Sequence, residues 1–575
     1  MTDLSKFNEQ QQGIARRAAE VRRFASDPQF EGGQFIKDPD LRAESLINAA
    51  SEVSMFEGLS TDDTSTIATA WGGAIRNYVN IHSTMPPDGL LANASQALEN
   101  VLLRADGKSN GSKTASGMML EGLGQSLSQS DGVEQRAMFA AMILPVALGA
   151  ATADACTFVP CERDEVEIFE IFNVAGSNSG DFKSGERLTM QSTGNFSQMR
   201  RNYVFPAGEQ PDGAKKVFTF DGAAVPRCGK VQFKPGRVFL VIDRKKADVD
   251  KNGRITTYHE QTKTTFNAVV DYVAAKVVVT ADTVLPAGVE LAIDFEIDVE
   301  KAPEFIPVIN HEMTSFKLYT SQSVIAAEHT IQALYAMRRE YGIDMGNLNG
   351  SAMRDWMAHE VDMLRIGRMA WHCRNETFFD LAQPSTQSFN DWMYLLKAKI
   401  AQVSGSILEK TLAVGMTGAF VGQELATQLK SLRADMFEPA PNYRQTPYIH
   451  YIGKLFGIYK LYEVPNKICE AFSRYDLQFG NSDMLCYGRG DSISQAGFIS
   501  GTAVPPIPFN HPTTPALNNR STLWSLGIDD IHPRNGADYF MWLRVTYDKI
   551  DGIDHNTGLV NTAPEKPVEP EEPQE

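Results

Sequence analysis

The alternation of apolar and polar positions is clearest between Val324 and about Trp371, in VIAAEHTIQALYAMRREYGIDMGNLNGSAMRDWMAHEVDMLRIGRMAW. Val324, Ala327, Ile331 and Leu334 fall at spacings of three and four and form one apolar face. Glu328, Arg338, Arg339 and Glu340 lie off that face. Gly342 supplies a stop, and Asn347, Asn349 and Gly350 mark a second loop. A second stripe, Met353, Trp356, Met357, Val361 and Leu364, predicts a helix from near Ser351. The two read as a helical hairpin whose first arm, at about 1.5 Å per residue, is roughly 27 Å long. Its predicted packing residues are Ile331, Leu334, Trp356, Met357 and Val361.

Elsewhere the pattern changes several times. Residues 1 to about 130 are rich in Ser, Ala, Gln, Asn and Asp, with short helical spacings at Ile14, Ala18 and Val21 and at Leu41, Leu46 and Ile47. Polar stretches such as Asp106 to Gly117 separate them, and this composition predicts an extended arm or a removable segment. The apolar run Ala137 to Ala153 is shorter than the roughly 20 residues a membrane span needs. Its central Pro145 predicts a buried helix ending there and leading into a core strand. Val166, Ile168, Phe169, Ile171 and Phe172 predict a first long strand.

Residues 180 to about 315 hold β-type runs, KVFTF, RVFLVID, KVVVT and VELAIDFEID, bounded by Asp-Gly, Pro-Gly and Pro-Ala-Gly turns. They predict a small sandwich or barrel. Beyond the hairpin, Phe389 to Leu408 has helical spacing, Gly418 to Leu432 reads as strand, turn and helix, and Lys454 to Pro465 as a strand pair. Phe540 to Ile550 reads as a closing strand, and the Pro- and Glu-rich tail after residue 560 has too little apolar content to fold.

Composition narrows the function. With 575 residues, 43% apolar and 22% charged, the chain is long enough for two to four folded domains. Its net charge of -17, with no Lys/Arg block, argues against binding nucleic acid through phosphates. Cys156, Cys161, Cys228, Cys373, Cys469 and Cys486 lie far apart without a CxxC pair and are expected as free thiols. The first residues, MTDLSKFNEQQQ, are polar and do not read as a signal peptide.

Several motifs imitate chemistry without completing it. DVDKNGRIT, Asp248 to Thr256, begins like a calcium loop, but the twelfth position is His259; it reads as a β-turn. His359-Glu360 lacks the second histidine of a zinc site, because position 363 is Met363. Gly415, Gly418 and Gly422 lack the lysine of a phosphate loop, and Ser500 is misplaced for a nucleophile elbow. His372 and Cys373 are half of a metal site without the other half. GRGDS, Gly488 to Ser492, reads as turn chemistry with an internal Arg489–Asp491 pair. No set combines a nucleophile, a base and an orienting group, so no catalytic, cofactor or metal residues are predicted and a structural role is favoured.

The run AEHTIQALYAMRREYGIDMGNLNGSAMRDWMAHEVDML resembles the spine-helix region of tailed-bacteriophage major capsid proteins, most closely the T-even myovirus kind. The series continues in order: the entry segment from Gln135, Gly457-Ile458-Tyr459-Lys460-Leu461-Tyr462, then MLCYGRGDSISQAGFISGTAVPPIPF. It covers roughly residues 135 to 550 apart from the β-rich interval, which is longer than the family's plain hairpin.

The resemblance implies an α+β capsid fold. Its parts are an N-terminal arm or cleavable precursor at 1–121, the start of a peripheral domain at 122–179, and an extended loop carrying an inserted β-domain at 180–315. Then come the spine helix and peripheral domain at 316–410, an axial domain at 411–500, closing strands at 501–560 and an acidic tail at 561–575. It further implies hexamers and pentamers closing into an icosahedral, DNA-containing head, assembled in the host cytoplasm. The DNA would be enclosed without specific binding and without a membrane. A prohead protease, a scaffolding protein and decoration or vertex proteins would be partners. Met119-Leu120-Glu121 before Gly122 best matches the implied cleavage pattern; Glu52 and Glu99 match less well. A vertex or other virion protein on the same fold, or a hydrolase with a β-sandwich module, are the alternatives.

Overall fold

The computed structural model describes residues 2–31, 34–53, 56, 61–102, 130–162, 164–189, 192, 194–222, 231–249, 252–342, 345–381, 388–441, 443–473, 479–511, 518–546, 553–554 and 559–560. Contacts divide the chain into two units: Met1–Phe169 together with Ser315–Glu575, and Glu170–Thr314. The architecture is α+β.

The first unit opens with helices α1 (Thr2–Ala25), α2 (Pro39–Ser51), α3 (Thr61–His82) and α4 (Asp88–Leu102). Where an extended arm or a removable segment is expected, the described residues between 2 and 102 form packed helices. Ala18, Ala25, Ala50, Ala68, Ala94 and Ala97 are buried, and they let the helices approach closely around Phe24 and Trp71. Alanine carries little apolar surface but permits close helix packing, which is why a Ser-, Ala- and Asn-rich composition understates this core. Asp38 caps α2, its carboxylate accepting from the Asp40 amide at 3.0 Å.

Helix α5 (Ser130–Gly149) runs through Pro145 rather than stopping there. It lies along α3, and the Trp71 indole N–H donates to the Ala140 carbonyl at 3.0 Å, so tertiary packing outweighs the lost backbone bond. A 3-10 turn, Ala151–Ala155, leads into β1 (Cys156–Phe158). Strand β2 (Glu165–Ala175) then carries the chain into the second unit.

That unit contains β3 (Arg200–Val204), β4 (Val217–Asp221), β5 (Phe233–Ile242), β6 (Lys245–Val249), β7 (Arg254–His259), β8 (Thr264–Asp271), β9 (Lys276–Ala281) and β10 (Leu291–Ile297). They form two four-stranded sheets, β4-β9-β8-β7 and β3-β10-β5-β6. Strict alternation, as in β8 with Phe266, Ala268 and Val270 buried, puts one row of each sheet into a shared apolar core with Phe218, Phe220, Phe233 and Phe295. The β6–β7 connection, expected as a β-turn, has Asn252 and Gly253 at positive φ; Asp250 and Lys251 lie outside the described residues.

The chain returns along β11 (Ile309–Tyr319), which pairs with β2. Next comes β12 (Ser321–Thr330), a strand where a helix was expected. It pairs with β20 (Asn518–Ile531) from Ser321↔Gly527 to Thr330↔Asn518, and this ten-residue ladder overrides the helical spacing of Val324 and Ala327. Thr330 then caps the short helix α6 (Ile331–Ala336), its hydroxyl accepting from the Ala333 amide at 3.1 Å. A π-type turn, Met337–Tyr341, closes on Gly342 at φ 66°, the left-handed region that glycine tolerates.

The long rod is therefore the second helix. Helix α7 (Met345–His372) has 28 residues, about 42 Å at 1.5 Å per residue. Asn347, Asn349 and Gly350, expected in a loop, are inside it; the Asn349 amide nitrogen stands 3.2 Å from His329 Nδ1 on β12.

The rest of the first unit is built on two sheets. The four-stranded sheet has the order β12-β20-β19-β1, with β19 at Phe498–Asn510. The seven-stranded sheet comprises β13 (Glu376–Asp380), β14 (Gly418–Gly422), β15 (Phe437–Pro439), β16 (His450–Leu455), β17 (Tyr459–Val464), β18 (Met484–Tyr487) and β21 (Phe540–Thr546). Its order is β13-β21-β18-β14-β17-β16-β15. Every residue of β14, at its centre, is buried. Helices α8 (Phe389–Thr411), α9 (Gln423–Lys430) and α10 (Asn466–Ser473) complete the unit. Among the described residues no helix is long and apolar enough to cross a membrane.

Candidate functional site: the anchored helix and its exposed face

Helix α7 has two different sides. Near its start, Met353 and Met357 are buried against Leu523 of β20, with Ile325 and Ala327 of β12 beside them. Further along, Ile366, Met369 and Ala370 enter the main core. Between these apolar contacts lies a buried cation. Arg365 donates from Nε to Asp529 Oδ1 at 2.7 Å, from Nη2 to Ser500 Oγ at 2.9 Å, and from Nη1 to Thr152 Oγ1 at 3.3 Å. One turn on, Arg368 Nη1 donates to the Asp529 carbonyl.

Burial opposes the charge on Arg365, but Asp529, Cys156 and Asp362 outweigh it and raise its pKa. The Asp362 carboxyl, accepting from the Thr152 hydroxyl, is pushed up by burial. A buried pair of this kind adds little to stability over an apolar equivalent, but it fixes register. Here it sets α7 at one position along β19 and β20.

Large side chains facing away from Arg365 are open, Leu364 and Trp371 continuing the Met357 stripe beyond the end of its contact with β20. Trp356, Leu364 and Trp371, at i, i+8 and i+15, are 56%, 44% and 69% exposed. On the edge strand β12, Val324 is exposed on the face opposite Ile325 and Ala327, which meet α7, and Ile331 and Tyr335 of α6 are exposed as well. Large exposed apolar side chains gathered along one stretch mark a contact surface more often than single ones do. Of the predicted packing residues, Met357 is buried, while Leu334 and Val361 are half-buried. Ile331 and Trp356 are exposed, because α6 begins only at Ile331 and Trp356 points away from the Met353–Met357 contact. Glu121 and Gly122 lie outside the described residues.

A second polar cluster lies under the seven-stranded sheet. Asp154 accepts from Lys460 Nζ at 2.9 Å and from the Tyr487 hydroxyl at 3.2 Å, and Arg489 Nη1 stands 3.7 Å away. Burial raises the Asp154 pKa, but Arg489 and Lys460 outweigh it and hold the carboxyl below its usual range. Arg489 therefore pairs with Asp154 rather than with Asp491 of its own turn. Burial, aided by Lys460, pushes His82 down to about 4. Asp154, His82 and Arg489, with Tyr78 and Tyr451, line an open cleft of about 470 Å³.

In sequence Asp154 merely follows the apolar run Ala137 to Ala153, and neither it nor Arg365 belongs to a recognised motif. A signal for Arg365 was present: it continues the i+4 series Met353, Met357, Val361, so a charge sits where the stripe demands burial. Its partners, more than 130 residues away, leave no local trace.

Among the described residues no group of His, Cys, Asp and Glu is arranged to hold a metal ion. His359 stacks edge-on with Trp356 and Tyr448. Cys156, Cys373, Cys469 and Cys486 are free thiols; Cys228 lies outside the described residues.

Fold and surfaces together define an α+β protein in which an internally anchored rod carries an open apolar face, with a separate all-β unit spliced into one strand pair. A family described as "Domain of unknown function (DUF8615)" matches residues 2–150. Protein IncB of Escherichia coli is 43% identical over 180 residues, 31% of this chain and 86% of that protein, and the chain belongs to the family of IncB. Three solved structures show a looser likeness. The capsid of jumbo bacteriophage PhiKZ matches with a TM-score of 0.32 at 8% identity, over 67% of this chain and 90% of that one. The capsid of Helicobacter pylori bacteriophage KHP30 gives 0.29 at 13% identity, over 43% and 78%. The capsid of Myoviridae phage XM1 gives 0.29 at 8%, over 42% and 78%.

Proposed function

We propose that this chain is the major capsid protein of a tailed bacteriophage. The observation that carries the reading is helix α7: a 28-residue rod held on one side by Arg365 and open on the other through Trp356, Leu364 and Trp371. The ordered series of capsid-like motifs from Gln135 to about residue 550 supports it independently. Copies associate through the open face of α7, the edge strand β12 and the β-unit, each contact modest and the sum large. Heterologous contacts of this kind close into rings, here hexamers and pentamers, and the rings into an icosahedral shell around DNA. The net charge of -17 suits a wall that encloses DNA without binding it.

Maturation in this reading removes residues 1–121 by cleavage between Glu121 and Gly122. A prohead protease and a scaffolding protein act during assembly in the host cytoplasm, and decoration or vertex proteins join the virion. The chain performs no bond-making chemistry of its own.

Negative-stain electron microscopy of the purified chain tests this, alone and with its cognate protease. The expected result is ring-shaped oligomers or closed shells. A chain that stays monomeric at every concentration in both samples would overturn the reading. A chain found only as a minor component at the particle vertices would point to a vertex protein instead.

A further inference from the structure

The β-unit has a second surface that its own core does not use. In the sheet β4-β9-β8-β7, the residues facing away from the core form rows across the strands. Thr256, Asn267, Thr280 and Val217 make one row; Arg254, Val269, Val278 and Thr219 make the next. Tyr258 opposite Thr265 flanks the first row. Val217, Tyr258 and Val269 are each more than half exposed.

Charge is confined to the margin. Arg254 closes one corner, and the bordering row holds Asp271 opposite Lys276, which is itself 3.3 Å from Asp221. The middle of the face carries no charged residue, in a chain where 22% of residues are charged.

We propose that this face packs against the same face of a second copy of this chain. The argument is electrostatic. Two chains of net charge -17 repel wherever their acidic surfaces meet within roughly a Debye length of 8 Å. A homotypic contact needs a surface without net negative charge, and a twofold contact sets each patch against its own copy. A neutral Val/Thr/Asn/Tyr sheet meets both conditions, and two such sheets pack face to face at about 10 Å.

The area fixes the strength. At about 4.8 Å between strands and 3.4 Å per residue, the face covers roughly 350 Å². A standalone complex buries about 800 Å² per partner. The contact is therefore weak alone and gains its effect by repetition, for which the inference rests on the shell reading.

The test uses the full chain and two variants, Val269→Glu and Val269→Lys. Val269 is 55% exposed, so both are expected to fold with an unchanged circular dichroism spectrum. In sedimentation, each variant alone should associate at least about ten-fold more weakly than the parent, since like charges then meet across the twofold. An equimolar mixture should recover the parent's association, because Glu then faces Lys. Variants that associate like the parent, or a mixture that does not recover, would overturn the inference.

If either variant fails to fold, Val269→Cys decides. Protection from maleimide in associated chains supports the contact, and full labelling refutes it, as would a sheet occupied by a glycan or an unrelated protein. Normal particles from Val269→Glu would sink this inference and leave the shell reading standing. Paired chains that never form particles would do the reverse.

Discussion

Arg365 on α7 and Asp529 on β20 form an ion pair at 2.7 Å, with the arginine side chain only 8% exposed and the aspartate 17%. The two residues are 164 positions apart in sequence, so the pair ties the rod to the sheet across the first unit. Removing one partner leaves the other charge buried and unpaired. Arg365→Met is expected to destabilise the chain by about 3–5 kcal/mol. Arg365→Met with Asp529→Leu should cost markedly less than either change alone. Urea unfolding followed by tryptophan fluorescence reads this, and a single-variant loss below about 1 kcal/mol would show that the pair is not the anchor described.

Neighbours on α7 should behave oppositely. Met357 is buried, so Met357→Asp is expected to cost at least about 3 kcal/mol and to yield aggregated chain. Trp356 is 56% exposed, so Trp356→Asp should fold with stability within about 0.5 kcal/mol of the parent. Assembly, scored by electron microscopy, should nevertheless fail for Trp356→Asp. Normal particles from that variant would remove Trp356 from the contact surface.

Acid should loosen the contact between α3 and the seven-stranded sheet. The His82 pKa is pushed down to about 4 by burial and by Lys460, against about 6.5 for an unfolded chain. The folded state therefore binds fewer protons between these values, and stability falls as pH drops through this window. The full effect is roughly 3 kcal/mol, complete near pH 4 and absent above about pH 7. Asp154, held below its usual range, loses its contribution lower still. Thermal melts of the parent and of His82→Phe between pH 7 and pH 4 separate the histidine from the carboxylates. The variant should lose less stability over that range, and parallel curves would refute the assignment.

The cleavage proposal has a direct readout. Intact mass of the chain from mature particles should lack residues 1–121. A full-length mass would remove Glu121 as a processing site and leave the shell reading untouched. The packing of α1–α4 adds a constraint: cleaved product should stay bound until the particle rearranges, because Trp71 and Asn93 hold that segment through Ala140 and Thr502. Rapid release on proteolysis of unassembled chain would contradict it.

The strands of the β-unit were legible because period-two alternation and Gly-bearing turns are local signals. So was the stretch Gly418 to Pro465, where a short apolar strand precedes an amphipathic helix and a hairpin. Val324 to Thr330 reads as a helix because apolar residues three apart on an edge strand mimic a helix face. Only the ladder to Asn518–Gly527, nearly 200 residues away, decides the matter. Pro145 reads as a stop in sequence, whereas α5 continues through it with Trp71 donating to the Ala140 carbonyl from a distant helix. For the site, the apolar residues of α7 could be read, but not which of them face outward. The exposed pair Trp356 and Trp371 looks in sequence like any buried pair.

The sulfur chemistry has its own consequence. Burial pushes the thiols of Cys156, Cys373 and Cys469 up to about 12, and that of Cys486 higher still. The thiolate is the reactive form, and at neutral pH these groups hold almost none of it. In the proposed shell, a particle leaving a reducing cell for aerated surroundings would keep these sulfurs as they were made. Its endurance there would owe nothing to crosslinks among these four residues.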